Sequence, residues 1–272
     1  MKYVQGEVLT NEGFTTGYLC IEQTQKVSDI RKGNAPEKPI VNGLIIPTCV
    51  NAHTHLGDSF IRYKHLQLPH NVKDLVAPPA GLKHRLLKQT SEQEILEGIK
   101  KSLAEMTTAG TTCFCDFREG GLIGVYQLKK AMQHRSIDSV ILSRPSQLTY
   151  EKQELDRLLE NSDGIGLSSI SDWEPSEIEK LASHVRRKKK LFALHASEVN
   201  RENIDRSYSF ALVFAPSRSA EADSVGFTIA PSFACCTPST MMCSSVACCP
   251  PNVLALMSSV LSRSMLTAWV KL

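Results

Sequence analysis

The chain has 272 residues, of which 42% are hydrophobic and 22% are charged, and these values are ordinary for a globular protein. The formal net charge of +3 gives no strong overall field, so composition favours neither a nucleic acid nor a membrane surface as a partner. The N-terminus, MKYVQGEVLTNEG, lacks the positive and then apolar pattern of a signal peptide, which predicts a cytoplasmic protein. An odd cysteine count, nine, argues against a disulfide framework.

Short strands and turns are predicted for the first 44 residues. The segments GEVLT, GYLCIE and KVSDIR alternate in polarity and are separated by Gly and Asn, which is typical of strands. The turn-rich stretch RKGNAPEKPIVNG follows them. From Gly43, GLIIPTCVNAH has the apolar pattern of one buried strand. We therefore expect residues 1–44 to form a small β-unit ahead of a main domain.

Helix and strand patterns alternate from residue 91 to residue 198. The segment 91–110 carries Ile95 and Ile99 at helical spacing, and Ser91 with Glu94 matches a capping box at its start. Beyond it, the patterns predict strands at 110–119, 139–146, 163–170 and 190–198, and helices at 122–133, 150–161 and 175–190. This alternation predicts a parallel sheet of about five strands with crossover helices.

Residues 206–272 have a different composition. No charged residue occurs between Ser224 and Ser262, and Ser, Cys, Pro and Ala dominate without a helical or strand period. Prolines interrupt this segment, so it lacks the run of about 20 apolar residues that a membrane span needs. Its cysteine pairs lack the C-x₂-C spacing of zinc modules, which leaves a cysteine-rich zinc-binding tail as the weaker interpretation.

Two histidine motifs follow apolar strands. His53 and His55 are two residues apart, so in a strand their side chains point to the same face and can converge on one metal ion. His195 ends the apolar strand in LFALHASE, and the carboxylate of Glu198 follows it. Imidazoles at strand ends can ligate a metal, and a nearby carboxylate can transfer protons. Two solvent-facing histidines at the start of a loop remain the alternative for the first motif.

The motifs VNAHTHLGD and ALHASE, separated by strand–helix steps, resemble the metal-dependent amidohydrolase superfamily. The similarity is closest to its branch of cytosine deaminases, adenosine-type deaminases and chlorohydrolases, and it covers about residues 1–205. The resemblance implies a (β/α)₈ barrel of the TIM type, with a small β-sandwich formed from both chain ends. It also implies that His53, His55 and His195 bind one divalent metal, Zn²⁺ or Fe²⁺, and that Glu198 shuttles protons.

The family's reaction is attack by metal-activated water on a carbon that bears an amino or other leaving group. The resemblance therefore implies hydrolysis of a non-peptide carbon–nitrogen bond in a small, nucleobase-like substrate. Enzymes with two metals bridge them through a lysine on the fourth barrel strand, and the predicted fourth strand, DGIGLSSI, has none. This difference favours a site with a single metal.

The sequence departs from the family beyond Glu198. The family places a histidine after strand six and an aspartate at the end of strand eight, but His195 is the last histidine of this chain. Asp205 and Asp223 come too early for strand eight, because each strand–helix unit takes about 30 residues. One hypothesis is that the tail was translated out of frame, and the alternative function is that of an inactive amidohydrolase fragment.

Taken together with the family resemblance, these patterns imply an α/β chain with an incomplete TIM-type barrel of about five strand–helix units, a small N-terminal β-sandwich portion and an irregular C-terminal tail. The expected domains are residues 1–44, 45–205 and 206–272, the last disordered or out of frame. Three further residues, Asp58, His65 and His70, follow the first histidine motif and are candidates for substrate binding. A small molecule is the expected partner, with no nucleic acid and no membrane.

Overall fold

The first sheet of the structure is mixed and contains the N-terminal strands. The computed structural model describes residues 1–195 and 269–271. Strands β1 to β4 and the short β10 build this sheet, in the order β10-β4-β1-β2-β3. Their bounds are Lys2–Thr10, Gly13–Ile21, Val27–Lys32, Val41–Ile46 and Trp269–Lys271. Strand β1 pairs antiparallel with β2 and parallel with β4, so the expected β-unit is present.

The segment GLIIPTCVNAH forms two strands, so the prediction of one buried strand is wrong. Strand β4 ends at Ile46, and β5, Cys49–Thr54, begins a second sheet. Pro47 and Thr48 lie between them outside any strand. Proline lacks the N–H that would continue a ladder, which explains why the apolar run divides at this point.

The second sheet is parallel and contains the strands of the predicted alternation. Strands β5 to β9 follow one another in sequence order across it. The bounds of β6 to β9 are Thr111–Arg118, Asp138–Ser143, Gly164–Ser169 and Leu191–His195. The sheet curls into half of a barrel, which confirms the predicted incomplete (β/α)₈ architecture. The tail that follows lies largely outside the described residues.

Crossover helices cover the outer face of the half-barrel. Helices α3 to α6 span Glu92–Thr108, Gly121–Met132, Lys152–Asn161 and Pro175–Arg187. The Ser91 side chain accepts a hydrogen bond from the backbone N–H of Glu94, so the predicted N-cap of α3 is confirmed. Fully buried leucines such as Leu103 and Leu181 pack the helices in two apolar clusters. Within residues 1–195 and 269–271, no helix has the length and apolarity of a membrane span.

A helical connection between β5 and α3 was not predicted. It consists of a 3₁₀ helix at Leu56–Tyr63, α1 at Val72–Val76 and α2 at Leu82–Gln89. The 3₁₀ helix buries Leu56 and Phe60 against α3, although its sequence is too short to show a clear period. This connection starts directly after the first histidine motif and supplies part of the site described below.

Candidate metal centre

Three histidines meet at the carboxyl end of the parallel sheet. His53 lies in β5, His55 follows that strand, and His195 is the last residue of β9. The Nε2 atom of His53 lies 3.1 Å from Nε2 of His55 and 3.0 Å from Nε2 of His195. Strands β5 and β9 are the two edges of the described sheet, so its curl brings together residues that are 142 positions apart.

Second hydrogen bonds fix the orientation of two of these rings. The Nδ1–H of His195 donates to the backbone oxygen of Leu167 at 2.8 Å, since a carbonyl can only accept. The Nδ1–H of His55 donates to Oε1 of Glu119 at 3.0 Å. With the proton on Nδ1, the lone pair of Nε2 in each neutral ring is directed at the shared space. Metal-binding histidines are held in this way in proteins generally.

The environment keeps all three imidazoles neutral near pH 7. Burial lowers the pKa of His55 to about 3, and the positive charge of Lys83 adds to this effect. Burial also lowers the pKa values of His53 and His195 to about 4. The Phe117 ring contributes to the burial of His53, because it stacks on that imidazole with a centroid separation of 4.5 Å. A neutral imidazole is the form that binds a metal ion.

The donor set fits one divalent ion. The ligand atoms of His53, His55 and His195 all lie within 4.8 Å of one another. Adjacent ligands of a tetrahedral zinc with Zn–N bonds of about 2.0–2.1 Å lie about 3.3 Å apart. The Nε2 separations of 3.0 and 3.1 Å approach that value. Imidazole nitrogen suits both zinc and iron, so the donor atoms alone do not choose between the two metals.

A buried ion cluster lies behind His55 and was missed by the sequence analysis. Lys83 of α2 is 7% exposed, and its Nζ contacts both Asp58 and Glu119. Burial alone would lower the pKa of Lys83, but the two carboxylates outweigh it and raise the pKa above its usual value. Burial would raise the pKa of Glu119, but Lys83 and His55 hold it well below its usual value. The cluster is therefore ionised at Lys83 and Glu119.

Thr54 points away from the histidines, as the alternation of a strand predicts. Its hydroxyl donates to Oδ1 of Asp116 at 2.8 Å, and the backbone N–H of Leu56 donates to the same oxygen at 2.7 Å. Asp116 is fully buried in β6. It therefore holds the chain on both sides of His55.

The other candidate residues have different positions. Asp58 pairs with Lys83 at 2.9 Å and belongs to the ion cluster. His65 and His70 are exposed in the connection after the 3₁₀ helix, and neither belongs to the histidine group found among the described residues. Glu198, the expected proton shuttle, lies outside the described residues. One signal could have identified Glu119, since it directly follows a parallel strand, as His55 does.

Sequence relatives span more than this chain. An uncharacterized protein of Methanocaldococcus jannaschii is 34% identical over 203 residues, which cover 72% of this chain and 50% of that protein. A protein of Archaeoglobus fulgidus with the name "Putative aminohydrolase" is 31% identical over a match that covers 75% of this chain and 56% of that protein. The chain thus spans about half the length of the curated relatives it matches.

Solved structures share the fold at low sequence identity. A zinc-bound adenosine deaminase from Xanthomonas campestris matches 72% of this chain and 49% of its own, with a TM-score of 0.54 and 12% identity. A 5-methylcytosine deaminase from Klebsiella pneumoniae, liganded with 5-fluorocytosine, matches 72% of this chain and 51% of its own, with a TM-score of 0.52 and 13% identity. Both matches concern the barrel fold.

The family match covers most of the chain. The model of the Amidohydrolase family matches residues 44–239, a range that includes the parallel sheet and all three histidines. It ends beyond residue 205, where the sequence resemblance was expected to end. Since the match spans well over half of the 272 residues, this chain belongs to the amidohydrolase family.

Proposed function

We propose that this chain is a metal-dependent hydrolase of non-peptide carbon–nitrogen bonds that uses one divalent ion, Zn²⁺ or Fe²⁺. His53, His55 and His195 would hold the ion. The observation that carries the proposal is the convergence of their three Nε2 atoms, with two of the rings oriented by bonds to Nδ1. A single ion is favoured because β8, Gly164–Ser169, has no lysine that could bridge two metals.

The bound metal would supply the Lewis acidity that activates water at neutral pH. The protein would supply the orientation of the ligands. His55 and His195 keep their protons on Nδ1, so neither Nε2 needs to lose a proton when the ion binds. Glu198, three residues after His195 in the sequence, would transfer a proton to the departing nitrogen. The proposed substrate is a small ring that carries an amino group, as in nucleobases.

Metal analysis of purified protein tests the site. We expect about one zinc or iron per chain in the wild type. The double variant His53→Ala/His55→Ala should lose the metal, whereas His65→Ala, which removes an exposed histidine, should retain it. Retention of zinc by the double variant would contradict the proposed site and would point to the cysteine-rich tail. Ammonia release from a panel of aminated pyrimidines, purines and triazines then tests turnover.

The second candidate function is that of a chain that binds metal without turnover. The observation that favours it is the absence of any histidine after His195 in this sequence, although the family resemblance implies another after strand six. A stoichiometric metal without ammonia release from any compound of the panel would support this candidate. Turnover that disappears with Glu198→Gln would contradict it and would support the proton shuttle.

The proposed division into residues 1–44, 45–205 and 206–272 depends on the origin of the tail. We propose that the tail was translated out of frame, because charge and periodicity are lost together near residue 206. Translation of the coding DNA in the other two frames beyond that codon tests this idea. A frame that encodes a strand-six histidine and a strand-eight aspartate would support it, and two frames without them would exclude it.

A further inference from the structure

The buried lysine behind His55 has no task in the chemistry proposed so far. Lys83 lies in the first turn of α2, and only 7% of its surface is exposed. A buried ammonium group is costly unless charged partners surround it. Lys83 has two, because its Nζ lies 2.9 Å from Oδ2 of Asp58 and also contacts Oε1 of Glu119. The fold thus places a buried cluster of charged groups at this position.

The same oxygen of Glu119 serves both the lysine and the histidine. Oε1 of Glu119 contacts Nζ of Lys83 and accepts the Nδ1–H of His55 at 3.0 Å. These three residues come from α2, from the end of β6 and from the end of β5. The three side chains therefore belong to three different elements, and Glu119 links Lys83 of α2 to His55.

The lysine also determines where the Glu119 carboxylate lies. Its Nζ contacts Oδ2 of Asp58 and Oε1 of Glu119, and the side chains of Lys83 and Glu119 are both buried. Hydrogen bonds between charged groups are stronger than those between neutral groups, so the ammonium group holds the Glu119 carboxylate firmly. Lys83 thus keeps Oε1 of Glu119 at the position where it accepts the Nδ1–H of His55.

A second carboxylate–histidine pair in the same chain shows a different arrangement. His184 contacts Asp156 through Nε2 at 3.1 Å, and Asp156 also pairs with Lys188 and Lys152. The remaining nitrogen of His184 bonds to the hydroxyl of Tyr150. Both ring nitrogens of His184 therefore have protein partners, one in α5 and one just before it. In His55, by contrast, the second nitrogen is directed at the other two histidines.

We infer that Glu119 and Lys83 are positioning residues of the metal centre, in which Lys83 holds the Glu119 carboxylate in place and Glu119 orients His55 for the metal. The inference rests on the proposed function, because it requires the three histidines to bind an ion. Glu119 is not among the three residues whose ligand atoms converge in the part of the chain that the structure describes. Glu119 and Lys83 both act through the imidazole of His55.

Metal affinity tests the inference without any need for turnover. Full-length wild type, Glu119→Gln, Lys83→Met and the matched control Asp156→Asn would compete for Zn²⁺ with a chromophoric chelator. Loss of an outer-shell carboxylate typically weakens metal binding by about 10- to 100-fold, and we expect this loss for Glu119→Gln and Lys83→Met. Asp156→Asn removes a carboxylate from the other histidine pair and should leave the affinity unchanged.

Two further measurements separate positioning from a general effect on folding. The visible spectrum of the Co²⁺-substituted protein reports ligand geometry, so it should change in Glu119→Gln and remain that of the wild type in Asp156→Asn. The double variant Glu119→Gln/Lys83→Met should lose less affinity than the sum of the single losses, because both residues act on one bond. Additive losses would overturn the proposed coupling.

The outcomes distinguish this inference from the proposed function. If the wild type binds no metal, the proposed function fails. If the wild type binds metal and Glu119→Gln binds it with equal affinity and an unchanged Co²⁺ spectrum, the inference alone fails. If Glu119→Gln and Lys83→Met both lose the cooperative melting transition that Asp156→Asn retains, the cluster is a folding element, and the positioning role is overturned.

Discussion

The buried carboxylate of Asp116 makes a quantitative prediction about pH. Its side chain is fully buried, Oδ1 accepts two hydrogen bonds, and Oδ2 has no hydrogen-bond partner in the part of the chain that the structure describes. Burial raises the pKa of Asp116 from 3.8 to about 6, although the nearby Arg118 opposes the shift. The folded protein therefore binds this proton more tightly than the unfolded chain does.

The sign of the effect follows from this difference. For an acid whose pKa is raised on folding, stability falls as the pH rises from the unfolded value of 3.8 towards the folded value of about 6. The change in the pKa of Asp116 from 3.8 to about 6 corresponds to about 3 kcal/mol of stability at most, and about 1 to 2 kcal/mol of it should be lost between pH 5 and pH 7.5. Asp116→Asn removes the charge and keeps an oxygen that can accept both hydrogen bonds.

Urea unfolding of wild type and Asp116→Asn at the two pH values measures this contribution. The asparagine variant should gain about 1 to 2 kcal/mol relative to the wild type on going from pH 5 to pH 7.5, since all other titrating groups are shared. Asp116→Ala is the companion variant, because it leaves the buried N–H of Leu56 without its acceptor. It should be less stable than the asparagine variant by about 1 to 3 kcal/mol at both pH values. An equal pH dependence in wild type and Asp116→Asn would refute the raised pKa.

Two packing predictions address the fold around the site. Gly98→Ala should destabilise the protein by about 1 to 3 kcal/mol, because the added Cβ would lie 2.5 Å from the backbone nitrogen of Phe60. The control is Ala104→Gly at an exposed position of the same helix, which should cost about 1 kcal/mol through helix propensity alone. A stabilising Gly98→Ala in thermal melts would show that the 3₁₀ helix does not pack tightly on α3. Leu181→Ala should cost about 2 to 5 kcal/mol in urea unfolding, since this side chain is fully buried between α6 and the sheet, and a smaller loss would contradict that packing.

The strand–helix order was accessible from sequence because it depends on local patterns. The apolar runs of β6 to β9 and the amphipathic helices between them repeat at short range, and the predicted ranges agree with the structure within a few residues. The division at Pro47 was missed because an apolar run does not reveal which sheet each half will join. The connection at residues 56–89 was missed because its helices are short and because the burial of the 3₁₀ helix depends on α3.

The site residues that lie at the carboxyl ends of parallel strands could be predicted from the sequence. His53, His55 and His195 stand at the carboxyl ends of strands, and the curl of a parallel barrel brings such ends together. Glu119 follows the same rule, but a carboxylate next to Arg118 resembles an ordinary surface pair. Lys83 could not be predicted, because its neighbours in LKHRLLKQ are typical of an exposed helix. Its burial depends on two carboxylates that come from other elements.

Metal binding should also stabilise the half-barrel, because the three ligands come from its two edge strands. His53 and His55 extend from β5, and His195 extends from β9, so an ion held by all three joins residues that are 142 positions apart. An ion that binds only the folded chain adds about 2.7 kcal/mol to stability at a free concentration of 100 times its dissociation constant. We therefore expect the melting temperature of wild type to rise with added Zn²⁺ and to fall with a chelator. His195→Ala removes the only ligand from β9, so its melting temperature should respond far less. An equal response in the variant would show that the ion binds to β5 alone or elsewhere, and that the two edges are not joined through it.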